Sequence, residues 1–559
     1  MTRLKAEILS GMSLLESAKL SFGLSRPGGR TISDDGPSSP AHVVPAYPDS
    51  VSAAGVRARL AGLLPALSLG LILVLALALR LRDLHLAYGS LSGDEARLTL
   101  VARGILEHGW PLLPSGHVYT RGLVQAYLTA PSLAIFGPGD LAPRLPSVLS
   151  GVLLVAVMYG YGTSLAGRVG GLLAAALAAT YEPFVFWSRQ AWFYAAFVLL
   201  WVLALYYFDR ATTTGSRRAL LLGACALVLG LFTHELTILL LPYVALSLIG
   251  WLRARPGPPT RVRAALAAAA LIGVGLALFA SLTLRLRSDT LAGSLGEIEE
   301  YVGRTSDIDG LDFYRRMLTD QYGLLVLVGA AGLCLADSAG RRRLLVLLVA
   351  MIPLFVVVGA VLRPPPLERY GLALMPSLFL LAAAGVGGLA GRLRRRLPGP
   401  LVLLAAAALS LLMLWPQLDL PGTLRRTSIW KESGQWIGEL RANGYQPGDL
   451  VLTDISTEVF LYLGRTDFWL RSRGFEKYTY APDGVRRDIH TGAPLVKSVE
   501  DFERLVRAPN AGRTAWVVGS NRRWQWQSAT DRDLREYFEE RAVLRLQPRD
   551  NTRLYKLNL

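Results

Sequence analysis

The sequence predicts an α-helical polytopic membrane protein, with about eleven transmembrane helices and a C-terminal soluble α/β domain. Three observations lead there. Hydrophobic residues fill 52% of the 559 positions and the mean hydropathy is +0.36. Long apolar runs recur at short intervals, and after Pro416 they give way to a mixed polar sequence. An ordinary water-soluble enzyme is not composed this way.

The net charge of +17 would suit nucleic acid, but the arginines cluster in short loops between apolar runs, where the positive-inside rule accounts for them. A nucleic-acid partner is therefore set aside. Cys225 and Cys334, the only cysteines, both fall inside predicted membrane helices and supply neither a disulfide framework nor a metal site.

Residues 1–58, rich in Ser, Pro and Gly, read as a disordered cytoplasmic tail. The first apolar run, Leu60–Leu79, is too long for the core of a signal peptide and lacks a following small-residue cleavage site, so it is expected to stay as a helix. Further runs follow at Leu145–Leu165, Val169–Trp187, Ala191–Phe208, Ala219–Phe232, Leu236–Leu252 and Ala264–Leu284, then at Tyr322–Ala336, Leu344–Leu362, Leu372–Leu389 and Leu401–Trp415. Residues 59–416 thus form the membrane domain.

Arg210/Arg217/Arg218, Arg253/Arg255/Arg261/Arg263, Arg341–Arg343 and Arg392/Arg394/Arg395/Arg396 occupy every second connection, which marks those loops as cytoplasmic. By parity the segments 80–144 and 285–321, the turns near Ser188, His234 and Pro365, and residues 417–559 lie outside. The external domain has strand-like pieces at Asp449–Thr453, Thr514–Gly519 and from Arg553.

Polar residues on the outer face are the candidate chemistry, because an ionisable side chain at a membrane helix end is costly to desolvate. Ser92-Gly93-Asp94-Glu95 opens an amphipathic helix whose apolar face carries Leu98, Val101, Ala102, Ile105 and Leu106. Ser92 and Glu95 fit a capping box, which engages Glu95 and leaves Asp94 the freer carboxylate. The helix dipole keeps a first-turn carboxylate ionised, as suits a base that takes a proton from a hydroxyl. By itself an acidic pair at a helix start needs no function.

Arg121, Arg144 and Arg369 on the same side, with Arg189 and the pair His234–Glu235, gather charge at one end of the bundle. Guanidinium groups bind phosphate through a planar fork, so the set favours an anionic ligand such as a lipid phosphate. For any one arginine a structural ion pair competes, with Glu368 or Glu182 as partner. Arg80 and Arg285 are expected to snorkel to the interface.

These residues resemble the GT-C glycosyltransferases, in particular the branch of protein O-mannosyltransferases and the lipid A aminoarabinose transferase. The resemblance runs from about residue 60 to 415. It rests on Asp94-Glu95-Ala96, Pro143-Arg144-Leu145-Pro146-Ser147, Ser188-Arg189-Gln190-Ala191-Trp192-Phe193-Tyr194, Thr233-His234-Glu235, and Glu368-Arg369-Tyr370 with Pro376. It implies a GT-C-like membrane domain that moves a sugar from a polyprenyl-phosphate-linked donor to a hydroxyl of a glycan, lipid or protein acceptor on the external face, with inversion. Asp94 would be the general base, with Glu95 beside it in the catalytic pair. Arg121, Arg144 and Arg369 would hold the donor phosphate, and Arg189, His234, Glu235 and Tyr370 would contact substrate.

Many members carry Lys-Pro-Pro or Pro-Pro-Leu in the first loop where this chain has Tyr119-Thr120-Arg121-Gly122-Leu123, so the phosphate role of Arg121 is a substitution. No cofactor is assigned. Some GT-C enzymes use a divalent cation, but the acids here form no recognisable metal constellation, and metal dependence stays open. A transporter or flippase of a phosphate-bearing lipid is the competing class, though such folds usually show internal repeats, and none is convincing here. A non-catalytic envelope scaffold is the third. Among the tail tryptophans most read as core, and Trp524-Gln525-Trp526 is a candidate for acceptor binding. The expected setting is a bacterial plasma membrane, with the N-terminus cytoplasmic, and nothing in the sequence forces an oligomer.

Overall fold

The computed structural model describes residues 53–82, 84, 91–253, 259–286, 310–357, 368–415, 435–520, 526–527, 530–548 and 552–559. The N-terminal tail up to residue 52 and most of the second external segment, 287–309, lie outside the described residues. Leu60–Leu559 form one compact unit.

Each apolar run is mostly helical over its described residues, with breaks at Tyr181 and over residues 191–193. In chain order the helices are α1 (Ala53–Leu81), α2 (Gly93–His108), α3 (Leu123–Phe136), α4 (Leu145–Thr180), α5 (Glu182–Ser188), α6 (Tyr194–Thr214) and α7 (Arg217–Thr233). A 3₁₀ segment, Glu235–Leu240, leads into α8 (Leu241–Arg253), followed by α9 (Pro259–Leu286), α10 (Gly310–Arg316), α11 (Gly323–Leu335), α12 (Ser338–Val356), α13 (Glu368–Gly371), α14 (Met375–Leu393) and α15 (Gly399–Leu414). Among the described residues six helical segments are long and apolar enough to cross a membrane, or seven if the bent pair Asp312–Gln321 and Gly323–Leu335 is one span. The chain is a multi-pass membrane protein.

α4 is a hairpin. A straight helix would separate Tyr159 from Gly171 by about 18 Å, yet a Cβ on Gly171 would stand 2.7 Å from the Tyr159 carbonyl oxygen. The reversal is at Gly167, whose φ of 72° lies in the left-handed region that other residues rarely adopt. The run Leu145–Leu165 and the part of Val169–Trp187 up to Thr180 are therefore two antiparallel helices, and α5 carries the rest of the second run. α14, whose first dozen residues are all buried, packs against α4 and α11 in the centre of the bundle.

At the end of the bundle away from α2, Arg343 Nε donates to Asp209 Oδ1 at 2.9 Å and its Nη1 to the Ser164 carbonyl at 2.9 Å. One member of the Arg341–Arg343 cluster is thus an ion-paired tie between α12, α6 and α4.

The C-terminal region builds a six-stranded sheet in the order β5-β2-β1-β6-β8-β7. Its strands are β1 (Leu450–Thr453), β2 (Phe468–Leu470), β5 (Leu495–Val496), β6 (Thr514–Gly519), β7 (Leu544–Leu546) and β8 (Arg553–Asn558); β3 (Thr479–Tyr480) and β4 (Arg487–Asp488) pair separately. β5, β2, β1 and β6 run parallel, and β8 and β7 close the far edge antiparallel. Leu450, Leu452, Ala515 and Val517 face a core with Phe502, Trp526 and Phe538, while Val451, Trp516 and Val518 face Trp436 and Leu440. Strands covered on both faces explain the near-continuous apolar pattern of β1 and β6. Trp526 is core, against Tyr555; the expectation that it binds acceptor is corrected, and Trp524 and Gln525 lie outside the described residues.

Candidate functional site

The N-terminus of α2 is fastened by Glu95. Its Oε2 accepts from the Ser92 backbone N–H at 3.1 Å, as the capping box requires, and also from the Ser92 hydroxyl at 3.2 Å. Its Oε1 accepts from the Ala191 N–H at 2.8 Å and from Arg144 Nε at 3.0 Å, and Arg144 Nη2 reaches Oε2 at 3.3 Å. Arg144 is 0% exposed and Glu95 2%. A carboxylate so filled and a guanidinium so enclosed are engaged chiefly with each other and with backbone, away from solvent. Together they lock the starts of α2 and α4 to the segment before α6.

Asp94, one residue earlier, differs in every respect. Its side chain is half-exposed in the first turn of α2, and its nearest charge is Arg97 Nη1 at 3.5 Å. Burial opposes the charge on Arg97, but Tyr119, Asp94 and Tyr478 prevail and raise its pKa. Tyr478 and His490 come from the C-terminal region, where His490 Nδ1 lies 3.0 Å from Asp488. Burial pushes the Asp488 carboxyl up, yet His490 and the hydroxyls of Thr491 and Ser456 hold it down at about 2. Arg97, Tyr119, Tyr478 and His490 were not singled out in the sequence. Only the three-residue spacing of Arg97 from Asp94 was visible there.

A second cluster lies around Phe193 and Tyr194. Arg121 Nη2 donates to Glu235 Oε1 at 3.1 Å, and its guanidinium carbon stands 5.6 Å from the Phe193 ring centre. Gly122 permits this approach: with φ at 70°, a Cβ there would lie 2.5 Å from Phe193 Cδ1. His234 Nδ1 is 3.4 Å from Glu235 Oε2 and accepts from the Leu236 N–H at 3.2 Å, and its ring packs on Phe197. Arg369 lies over Tyr194 at 6.0 Å. Arg121 and Glu235 remain about one-third to two-fifths exposed. The structure therefore brings Arg121, His234, Glu235 and Arg369 together.

The segment between α5 and α6 joins the two clusters. Ala191 donates to Glu95, Phe193 underlies Arg121, and Tyr194 underlies Arg369. Arg189, in the same segment, is buried and donates to the Leu79 carbonyl at 3.0 Å. Arg80 does not snorkel. It is fully buried and donates to the carbonyls of Ala76 at 3.0 Å and Ala179 at 3.3 Å. The side chains of Tyr370 and Arg285 lie outside the described residues. Among the described residues no group of three or more His, Cys, Asp or Glu side chains could hold a metal ion.

Residues 120–283 match the family model described as dolichyl-phosphate-mannose-protein mannosyltransferase. The crystal structure of ArnT from Cupriavidus metallidurans in the apo state is similar, with a TM-score of 0.57 and 15% identity over 88% of this chain and 97% of that one. ArnT from the same organism bound to undecaprenyl phosphate gives 0.54 and 13% identity, over 88% and 98%. No curated protein sequence matches the chain. At such identities the likeness is one of fold.

Proposed function

The chain has the fold of the GT-C glycosyltransferases, with a mannosyltransferase-family segment at residues 120–283, and from that premise we propose that it transfers a sugar from a polyprenyl-phosphate-linked donor to an acceptor hydroxyl at the external membrane face. The observation that carries the reading is the contrast between two neighbouring acids. Glu95 is spent on structure, while Asp94 presents a half-exposed carboxylate at the same helix start. The undecaprenyl phosphate held by the ArnT structure supports the donor class.

Asp94 takes the acceptor hydroxyl proton, and the oxygen attacks the anomeric carbon from the face opposite the phosphate. The bond from that carbon to the phosphate oxygen breaks, configuration inverts, and the prenyl phosphate leaves with the electron pair. A base of this kind contributes about 10²- to 10⁴-fold. Arg121 and Arg369 hold the phosphate and stabilise the charge that develops on it, with Glu235 and His234 orienting Arg121. Glu95 and Arg144 hold Asp94 in place and touch no substrate. The acceptor is a hydroxyl of a glycan, lipid or protein, and the setting is a bacterial inner membrane with the α2 face outward.

The test is transfer of radiolabelled sugar from polyprenyl-phosphate donors to a membrane extract, comparing wild type with Asp94→Asn at matched expression. Transfer lost in the variant supports the reading. Near-wild-type turnover in the variant removes Asp94 as the base, and absence of donor-dependent transfer in both moves the assignment to a flippase or scaffold.

A further inference from the structure

We propose that Tyr462, in the C-terminal region, is a positioning residue for Asp94, so that this region is a working part of the transfer site; the proposal rests on the reading of Asp94 as the base. Tyr462 lies in the last turn of α16 (Ser456–Leu463), the helix that follows β1. Its hydroxyl accepts from the Leu91 backbone N–H at 2.6 Å and donates to Asp140 Oδ1 at 2.8 Å. A phenol has one proton to give, and giving it to Asp140 leaves the oxygen free to accept from Leu91, so both bonds are made at once.

The two partners are informative. Leu91 stands three residues before Asp94 and just ahead of the Ser92 cap. Asp140 stands four residues before Arg144, the partner of Glu95. One hydroxyl from a segment more than 300 residues away thus ties the lead-in to Asp94 to the lead-in to the arginine that locks the next residue. Burial raises the pKa of Tyr462, which keeps the phenol protonated.

The surroundings fit positioning. Leu461 joins Leu91, Ala96, Leu100 and Ala191 in one buried cluster, with Phe460 and Tyr462 against it. Ala191 is the residue whose N–H donates to Glu95. Glu458, one turn earlier on the same helix, stands 3.0 Å from where a Cβ on Gly93 would be. The helix therefore touches residues 91, 93 and 96, on both sides of Asp94. A second bond, Arg103 Nη1 to the Leu461 carbonyl at 3.2 Å, joins the same helices but ends about two and a half turns of α2 away from Asp94.

That second bond separates positioning from simple docking. Tyr462→Phe keeps the ring in its cluster and removes both hydrogen bonds of the hydroxyl, whereas Arg103→Ala weakens the attachment without touching Leu91. For Tyr462→Phe the expected result is a kcat about ten- to a hundredfold lower with donor KM within about twofold, since small misplacement of a catalytic group costs turnover more than binding. Amide exchange over residues 91–95 should quicken about tenfold. Arg103→Ala should keep kcat and exchange within about twofold of wild type. If Tyr462→Phe does not fold, Asp140 serves instead: Asp140→Ala should lower kcat and Asp140→Asn, which keeps an acceptor for the phenol, should restore it.

The proposal is overturned if Tyr462→Phe keeps its kcat, if Arg103→Ala loses as much at an equal drop in thermal stability, or if Asp140→Ala and Asp140→Asn behave alike. A wild-type protein that transfers no sugar while residues 91–95 still respond to Tyr462→Phe would instead overturn the transfer reading and support the positional link.

Discussion

Arg144 meets Glu95 in a two-pronged ion pair closed to solvent, at 3.0 Å and 3.3 Å, between the starts of two helices that lie 49 residues apart in sequence. Buried pairs of this kind add little net stability, but breaking one by removing a single partner strands the other charge. Arg144→Ala is therefore expected to destabilise the protein by about 3–5 kcal/mol. Thermal unfolding of the detergent-solubilised protein measures it, and a shift no larger than that of a surface substitution such as Arg210→Ala would contradict the closed pair.

Asp94→Asn keeps the shape and removes the basicity. Turnover should fall about 10²- to 10⁴-fold while the melting temperature stays within a degree or two of wild type. Glu95→Gln should show the reverse balance, losing stability first, because its carboxylate receives several donors.

Arg121→Ala and Arg369→Ala should each weaken donor binding. Charge-assisted hydrogen bonds to a phosphate are worth about 1.5–3 kcal/mol each, so donor KM should rise roughly ten- to a hundredfold. Donor titrations read this directly. Gly122→Ala, which would drive a Cβ into the Phe193 ring, should reproduce the Arg121 defect without removing its charge, and an unaltered donor KM in that variant would contradict the stacking of Arg121 on Phe193.

The C-terminal sheet should respond to pH in two windows. Asp454, buried where its Oδ1 accepts from the Ser520 N–H at 2.7 Å, is pushed up to about 7 by burial. The unfolded chain releases that proton near pH 4, so between about pH 4 and 7 the folded state binds more protons and stability falls as pH rises. Asp488, held at about 2, works in the opposite direction: its contribution is full above about pH 4 and is lost as pH drops through 2. Hydrogen exchange of β1 and β6 from about pH 2 to 8 tests both, and Asp454→Asn should flatten the upper window only.

Much of the bundle was legible in the sequence because apolar runs of near-membrane length carry their own signal, and even the α4 hairpin was visible as two runs separated at Gly167. The distinction between Asp94 and Glu95 was legible too, since a capping box is a local motif. Partner choice was not. Arg144 pairs with Glu95 rather than with the acids nearest in sequence to the arginine motifs, and Arg80 and Arg189 turn inward to backbone carbonyls, because these outcomes depend on how helices distant in sequence are stacked. The contribution of Tyr462 was invisible for the same reason: no spacing rule links residue 462 to residue 91.

The stretch from Ala191 to Tyr194 behaves as a ruler. Its successive side chains and one backbone N–H meet the Asp94 helix, the Arg121 loop and Arg369 at fixed intervals, so lengthening it by a single residue would put all three out of phase at once. Variation in what this protein accepts or donates is thus free to accumulate in the flanking loops, while the count of residues in this short stretch has no slack.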